Sequence, residues 1–223
     1  MAGSTGVRLT HRLMIRTASG AASLALRPIA KLEIQECDIN PDIRRGLIIA
    51  ANHRSLLDFF VGLVAFGRWH VYPYFFVRSD ICKIPVLGLL LRTLGAIPAG
   101  GKEFAGRRAQ ALLQAGQVLV ITPEGHITRA ADRIEGIATL RPGVGHLAAR
   151  LGTPILLVGV VNTDICWELG TRFPKIRPSR RRRPTVRLAV EFLEIEAGSR
   201  GRAITAQLQS RLSQIVSLLD NTI

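Results

Sequence analysis

The first 32 residues contain no acidic side chain, and Arg8, Arg12 and Arg16 recur every fourth residue opposite Leu9, Leu13 and, further on, Leu24. That spacing predicts a basic amphipathic helix that ends near Pro28. From Gly46 the pattern changes. Leu47-Ile48-Ile49-Ala50-Ala51 is apolar without alternation, as in a strand covered on both faces. Asn52 to Ser55 breaks the run, and Ser55 is placed to cap a helix through Leu56, Leu57, Phe59 and Phe60. The rhythm then repeats: strand over 71–77, helix over 85–94, short strand over 96–98, helix over 102–115, strand over 118–121. Further on come a helix over 143–151, a central strand over 155–161, a longer strand over 186–195 and a closing amphipathic helix over 203–219.

Short buried strands alternating with helices predict an α/β fold. Its central sheet is mostly parallel or mixed, with helices on both faces, and the N-terminal amphipathic helix precedes it. Residues 1–31 then form a basic helical segment, and 32–223 a single α/β domain. Between the last two strands, 172–187 carries Pro174, Pro178 and Pro184 with eight basic residues and no acid. Such a stretch belongs in an exposed loop, since neither prolines nor unpaired charges suit a core.

Composition narrows the partners. Thirty Lys and Arg against sixteen Asp and Glu leave a formal charge of +14, while 48% hydrophobic residues rule out a freely disordered chain. The charge therefore sits on a folded surface and favours phosphate-bearing partners. Cys37, Cys82 and Cys166 are too few and too scattered for a disulfide scaffold, which makes a reducing compartment the default. The apolar run 59–66 ends at Arg68-Trp69-His70, short of the roughly 18 to 20 residues a membrane span requires.

The sharpest chemical feature is Asn52-His53-Arg54-Ser55-Leu56-Leu57-Asp58, where a buried strand hands over to a helix. Open α/β sheets place ligands at such carboxyl ends. Asp58, about one helical turn in, can fold back and accept a proton from Nδ1 of His53, leaving Nε2 free as a general base. A helix-capping histidine beside an ordinary surface carboxylate fits the same spacing. Pro123-Glu124-Gly125 follows another strand, so Glu124 either orients a ligand hydroxyl or belongs to a plain strand-end turn that Gly125 permits. No HExxH or paired-cysteine set suggests a metal, and no GxGxxG, GxxxxGK or GxSxG motif points to a nucleotide or a serine nucleophile.

These blocks, in this order, resemble the glycerolipid acyltransferases, in particular the 1-acyl-glycerol-3-phosphate (lysophosphatidic acid) acyltransferases. Residues 52–58 fit the NHxSxxD block with its HxxxxD motif, Pro123-Glu124-Gly125 the proline-glutamate-glycine block, and Arg141-Pro142-Gly143 the later basic-x-Gly segment. Two blocks depart from the pattern. Gly95 to Gly101 lacks the usual arginine, for which Lys102 or Arg107 is the nearest substitute, and Thr128-Arg129 is displaced by two residues after Gly125.

The resemblance implies transfer of a fatty acyl group from acyl-CoA or acyl carrier protein to the free hydroxyl of a lysophospholipid, with 1-acyl-glycerol-3-phosphate giving phosphatidic acid. His53 is then the general base and Asp58 its orienting carboxylate. Glu124, Gly125, Thr128, Arg129, Lys102 and Arg141 contact substrate. No cofactor is bound permanently and no metal is used. A different lysolipid or glycolipid acceptor, a thioester hydrolase using the same pair, and a basic nucleic-acid-binding α/β module are the other readings. Arg8, Arg12, Arg16 and the run Arg180, Arg181, Arg182, Arg183 suit an anionic membrane surface. No aromatic pattern interleaves with the run, so nucleic acid is not expected. The expected location is the cytoplasmic face of a membrane, peripheral or monotopic; the acid-free, Arg-rich start also fits an organelle-targeting peptide or a helix packed on its own domain.

Overall fold

A computed structural model describes residues 3–39, 46–196 and 198–221, apart from the side chains of 3–8, 102 and 103. Arg8, expected at an anionic membrane surface, and Lys102, expected as a substrate contact, therefore have side chains outside the described residues. Helix α1 (Gly3–Leu26) packs along α2 (Leu57–Arg68). Ile15, Ala22 and Leu26, spaced by seven and four, form its buried stripe. Leu9, Leu13 and Leu24 are exposed, and so are Arg12 and Arg16. Arginines and leucines thus share the outer side of the helix rather than opposing each other, because adjacent residues are only about 100° apart around the axis.

The sheet is made of β1 (Lys31–Ile34), β2 (Leu47–Ala51), β3 (Tyr74–Arg78), β4 (Ala96–Ala99), β5 (Val118–Ile121), β6 (Ile155–Val161) and β7 (Thr185–Leu193). Their order is β1-β7-β6-β2-β5-β3-β4. Every pairing is parallel except β6 with β7, so the sheet is mixed. All seven residues of β6 are buried, which explains why its sequence shows no alternation. Strand β3 begins three residues later than the apolar pattern suggests, since His70 adopts a left-handed turn (φ 55°) and Pro73 has no N–H for a ladder.

Helices α3 (Pro85–Thr93), α4 (Lys102–Gln114), α5 (Gly143–Leu151), α6 (Thr163–Cys166) and α7 (Gly201–Asp220) complete the layers. Strand side chains alternate between two cores. Leu47, Ile49, Leu156 and Val158 meet α1 and α2, whereas Ile48, Ala50, Ile155 and Leu157 meet α4, α5 and α7. Gly159 lets α7 press onto β6: a Cβ there would stand 2.5 Å from Cγ2 of Ile215. The parallel strands β2, β5 and β3 all end at one edge of the sheet, and the loops leaving β2 and β5 form the candidate site there.

Candidate active site

The chain leaves β2 at Ala51, and Asn52 fixes the exit. Its side chain donates to the Val160 carbonyl (2.9 Å) and accepts from the Val160 N–H (2.7 Å), continuing the β2–β6 ladder with an amide side chain. The backbone then turns into α2. Ser55 is fully buried, accepts the Leu57 N–H (3.1 Å) and donates to the Trp167 carbonyl (2.6 Å). Leu56 rather than Ser55 is the N-cap of α2, and the Ser55 hydroxyl, one residue earlier, accepts the first helical N–H and ties the helix to the loop beyond α6.

Between these two anchors lie His53 and Asp58. His53 Nδ1 is 2.8 Å from Oδ2 of Asp58, and the same oxygen accepts the backbone N–H groups of Arg54 (2.7 Å) and Ser55 (2.8 Å). Three donors converge on one carboxylate oxygen at the helix N-terminus, where negative charge is also favoured by the helix dipole. A carboxylate can only accept here, so Nδ1 carries a proton, and in the neutral ring Nε2 keeps its lone pair. The side chains of His53 and Asp58 are 23% and 11% exposed: accessible from the edge of the sheet, yet held.

The loop after β5 is stitched to the loop after β2. Glu124 Oε1 accepts the His53 N–H (2.7 Å), and Thr128 N–H donates to the His53 carbonyl (2.8 Å). Oε2 of Glu124 accepts from the Thr128 hydroxyl and from the Ala138 N–H (3.1 Å). Glu124 and Thr128 are each 1% exposed. Expected among the substrate contacts, they instead face each other and the backbone, bracing the His53 loop. Gly125, by contrast, is exposed in a left-handed turn (φ 78°), and the Arg141 guanidinium lies over it so closely that a Cβ would come within 2.7 Å of its Cζ.

Arg141 and Arg129 are exposed, and among the described residues neither guanidinium has an ion-pair or hydrogen-bond partner. They are available to an anion. The turn Arg180–Arg182 precedes β7, and Arg183 is half-buried with its guanidinium on the carbonyls of Arg177 (2.8 Å) and Pro178 (2.6 Å). Arg133 and Arg54, which no spacing marked, are more deeply held. Arg133 pairs with Asp164 (2.7 Å), and Arg54 turns away from the site to the end of α7. Cys166, near the Trp167 anchor, is buried. Burial pushes its thiol up to about 11, with Asp164 adding to the effect and Arg177 and Lys175 opposing it. Among the described residues no cluster of three or more His, Cys, Asp or Glu could hold a metal ion.

The sequence profile of the Acyltransferase family matches residues 31–161, more than half of the chain. The chain belongs to the Acyltransferase family. It is 26% identical over 155 residues to the chloroplastic 1-acyl-sn-glycerol-3-phosphate acyltransferase BAT2 of Brassica napus, a match covering 67% of this chain and 43% of that protein. Over the same length it is 24% identical to the corresponding chloroplastic enzyme LPAT1 of Arabidopsis thaliana, covering 67% and 41%. The match thus spans less than half the length of these curated relatives. The fold is shared with the crystal structure of the 1-acyl-sn-glycerophosphate acyltransferase PlsC from Thermotoga maritima, with a TM-score of 0.74 at 21% identity over 92% of this chain and 79% of that one. Within this chain, the His53–Asp58 pair is the candidate catalytic centre.

Proposed function

We propose that this acyltransferase moves a fatty acyl group from a thioester, acyl-CoA or acyl carrier protein, to the free hydroxyl of a lysophospholipid at a membrane surface. The first candidate acceptor is 1-acyl-glycerol-3-phosphate, giving phosphatidic acid, as the names of the matched relatives suggest. The observation that carries the reading is the 2.8 Å contact between His53 Nδ1 and Asp58 Oδ2, which leaves Nε2 as the base. Nε2 takes the proton of the acceptor hydroxyl, and the oxygen attacks the thioester carbonyl. As the C–O bond forms, the C–S bond breaks, and the imidazolium returns its proton to the departing thiolate. Asp58 holds the ring in one tautomer and stabilises the transient imidazolium. The unpaired guanidinium groups of Arg141 and Arg129 suit the phosphate of the acceptor or of the donor, through charge-assisted hydrogen bonds.

Among the described residues no helix is long and apolar enough to cross a membrane, which fits peripheral attachment. The test is a reaction of the purified protein with an acyl thioester, with and without 1-acyl-glycerol-3-phosphate, and mass spectrometry of the products. Transfer yields a diacyl product, whereas hydrolysis by the same pair releases free fatty acid with or without acceptor. His53→Ala lowers transfer by about 10² to 10³ while the fold persists. Near-normal transfer by that variant would remove the base from the mechanism.

A further inference from the structure

We infer that the sheet edge bearing His53 docks on an anionic lipid bilayer through two apolar prominences that straddle the site, α3 on one side and the loop after α6 on the other. The inference deepens the reading of a lysophospholipid acceptor and rests on it.

On the first side, α3 follows the carboxyl end of β3, which pairs with β5, the strand that leads to Glu124. Gly88 and Leu91 face inward, and the opposite arc is apolar: Val86 is 82% exposed and Leu89 67%. Lys83 and Arg92 are exposed next to that arc, and no acidic residue occurs from 81 to 102. On the second side, the loop after α6 presents Phe173 (69% exposed) and Ile176 (67%). It is anchored rather than loose, since Lys175 N–H donates to the Cys166 carbonyl (2.7 Å) and Arg177 N–H to the Pro28 carbonyl (2.9 Å). Trp167, at its root, stacks on Phe60 of α2 (centroids 6.3 Å apart) and accepts the Ser55 hydroxyl, so this prominence flanks Asp58. The stretch 167–183 carries seven basic residues and one acidic one, Glu168, which pairs with Lys175 (3.3 Å).

Single exposed hydrophobic residues are ordinary on protein surfaces. Two groups of them on elements that leave the same edge, each flanked by more cations than acids, with Glu168 and Asp80 already paired to Lys175 and Arg78, match an interface that buries apolar side chains and attracts anionic headgroups. A second copy of the chain is the poorer occupant, because joining these faces would bring two positive edges together. Arg180, Arg181 and Arg182 then supply attraction at the rim, while insertion belongs to Val86, Leu89, Phe173 and Ile176. An acceptor lipid would meet His53 from the bilayer on which the protein sits.

The experiment measures binding of the full chain to phosphatidylglycerol-containing vesicles and to pure phosphatidylcholine vesicles. Two paired variants, Val86→Gln with Leu89→Gln and Phe173→Gln with Ile176→Gln, remove apolar surface without changing charge or touching the core, and thermal unfolding verifies the fold. Each pair lowers binding to the anionic vesicles by about tenfold or more. Lys83→Ser with Arg92→Ser leaves the apolar arc intact and weakens binding to the anionic vesicles alone. If either apolar pair bound like wild type, docking on two sides would be wrong. Equal wild-type binding to both vesicle types would remove the anionic surface. A dimer dissolved by the same substitutions, with vesicle binding unaffected, would give the face to a second copy. Turnover of detergent-dispersed substrates is read separately, so that absent acyl transfer alongside the expected vesicle results would fault the proposed chemistry and spare the docking.

Discussion

Arg54 grips Asp220 with both terminal nitrogens, Nη1 to Oδ1 at 3.0 Å and Nη2 to Oδ2 at 2.6 Å, across 166 residues of sequence. Nη2 also donates to the Gly136 carbonyl (3.1 Å). The last turn of α7 is thereby coupled to the residue after His53, whose own N–H is on Asp58. The Arg54 side chain is 5% exposed and that of Asp220 37%, so Asp220→Asn strands a buried cation whose lost partner was partly screened by solvent. The expected loss of stability is about 1 to 3 kcal/mol. Because the strain is passed to the His53 loop, kcat falls about threefold to tenfold with little change in KM, and Asp220→Glu recovers part of it. Thermal unfolding combined with steady-state kinetics reads both effects. A drop in melting temperature with unaltered kcat would reduce the pair to a fastener of α7.

Asp58→Asn separates charge from shape. The amide oxygen can still accept the backbone N–H groups of Arg54 and Ser55, which bond to Asp58 at 2.7 and 2.8 Å. The carboxylate that selects the His53 tautomer is gone. Transfer should fall by about 10² or more with the circular dichroism spectrum retained. Turnover close to wild type would mean that His53 does not depend on a carboxylate partner.

The legible parts of this molecule are those whose cause is local. β2 and β6 could be read because central strands buried on both faces must be apolar throughout, β5 because its four residues are all apolar though only Leu119 is fully buried, and His53 and Asp58 because five residues across a strand-to-helix turn bring the two groups together. β1 was invisible: Lys31-Leu32-Glu33-Ile34 is half charged and becomes a strand through pairing with β7, some 150 positions later. The same holds for Arg54, whose partner is at the end of the chain, and for Asn52, whose lock on Val160 has no local signature. Glu124 was marked at the right strand end, but Thr128 and Ala138 close over it, which no spacing could reveal. The exposed leucines of α1 were visible as a pattern; which side of the helix the domain would cover depended on α2.

Gly125 and Arg141 form a linked pair. Gly125→Ala forces a side chain into a left-handed backbone, at a cost of about 1 kcal/mol, and its Cβ would displace the guanidinium 2.7 Å away. If Arg141 meets the acceptor phosphate, Gly125→Ala and Arg141→Ala both raise the acceptor KM several-fold, with a smaller change in kcat. The effect should vanish with a monoacylglycerol acceptor, which has no phosphate. Equal losses on both acceptors would show that the two substitutions only deform the turn.

His11 makes the seat of α1 sensitive to acid. The ring is 8% exposed, lies 3.2 Å from the Leu94 carbonyl through Nε2, and tilts against Tyr74 at 4.9 Å between centroids. Burial lowers its pKa below the ordinary 6.5, against the opposing pull of the Leu94 and Pro73 carbonyls. A histidine with a depressed folded pKa favours folding where it is neutral in both states. Its contribution is therefore present above pH 6.5 and is lost as pH falls through the lower folded value, because the unfolded chain takes up the proton first. His11→Gln keeps an amide donor for Leu94 but cannot titrate. The wild type should melt above this variant at pH 7.5, and the gap should shrink at pH 5.5. A gap that stayed constant across that range would show that His11 is not what loosens α1.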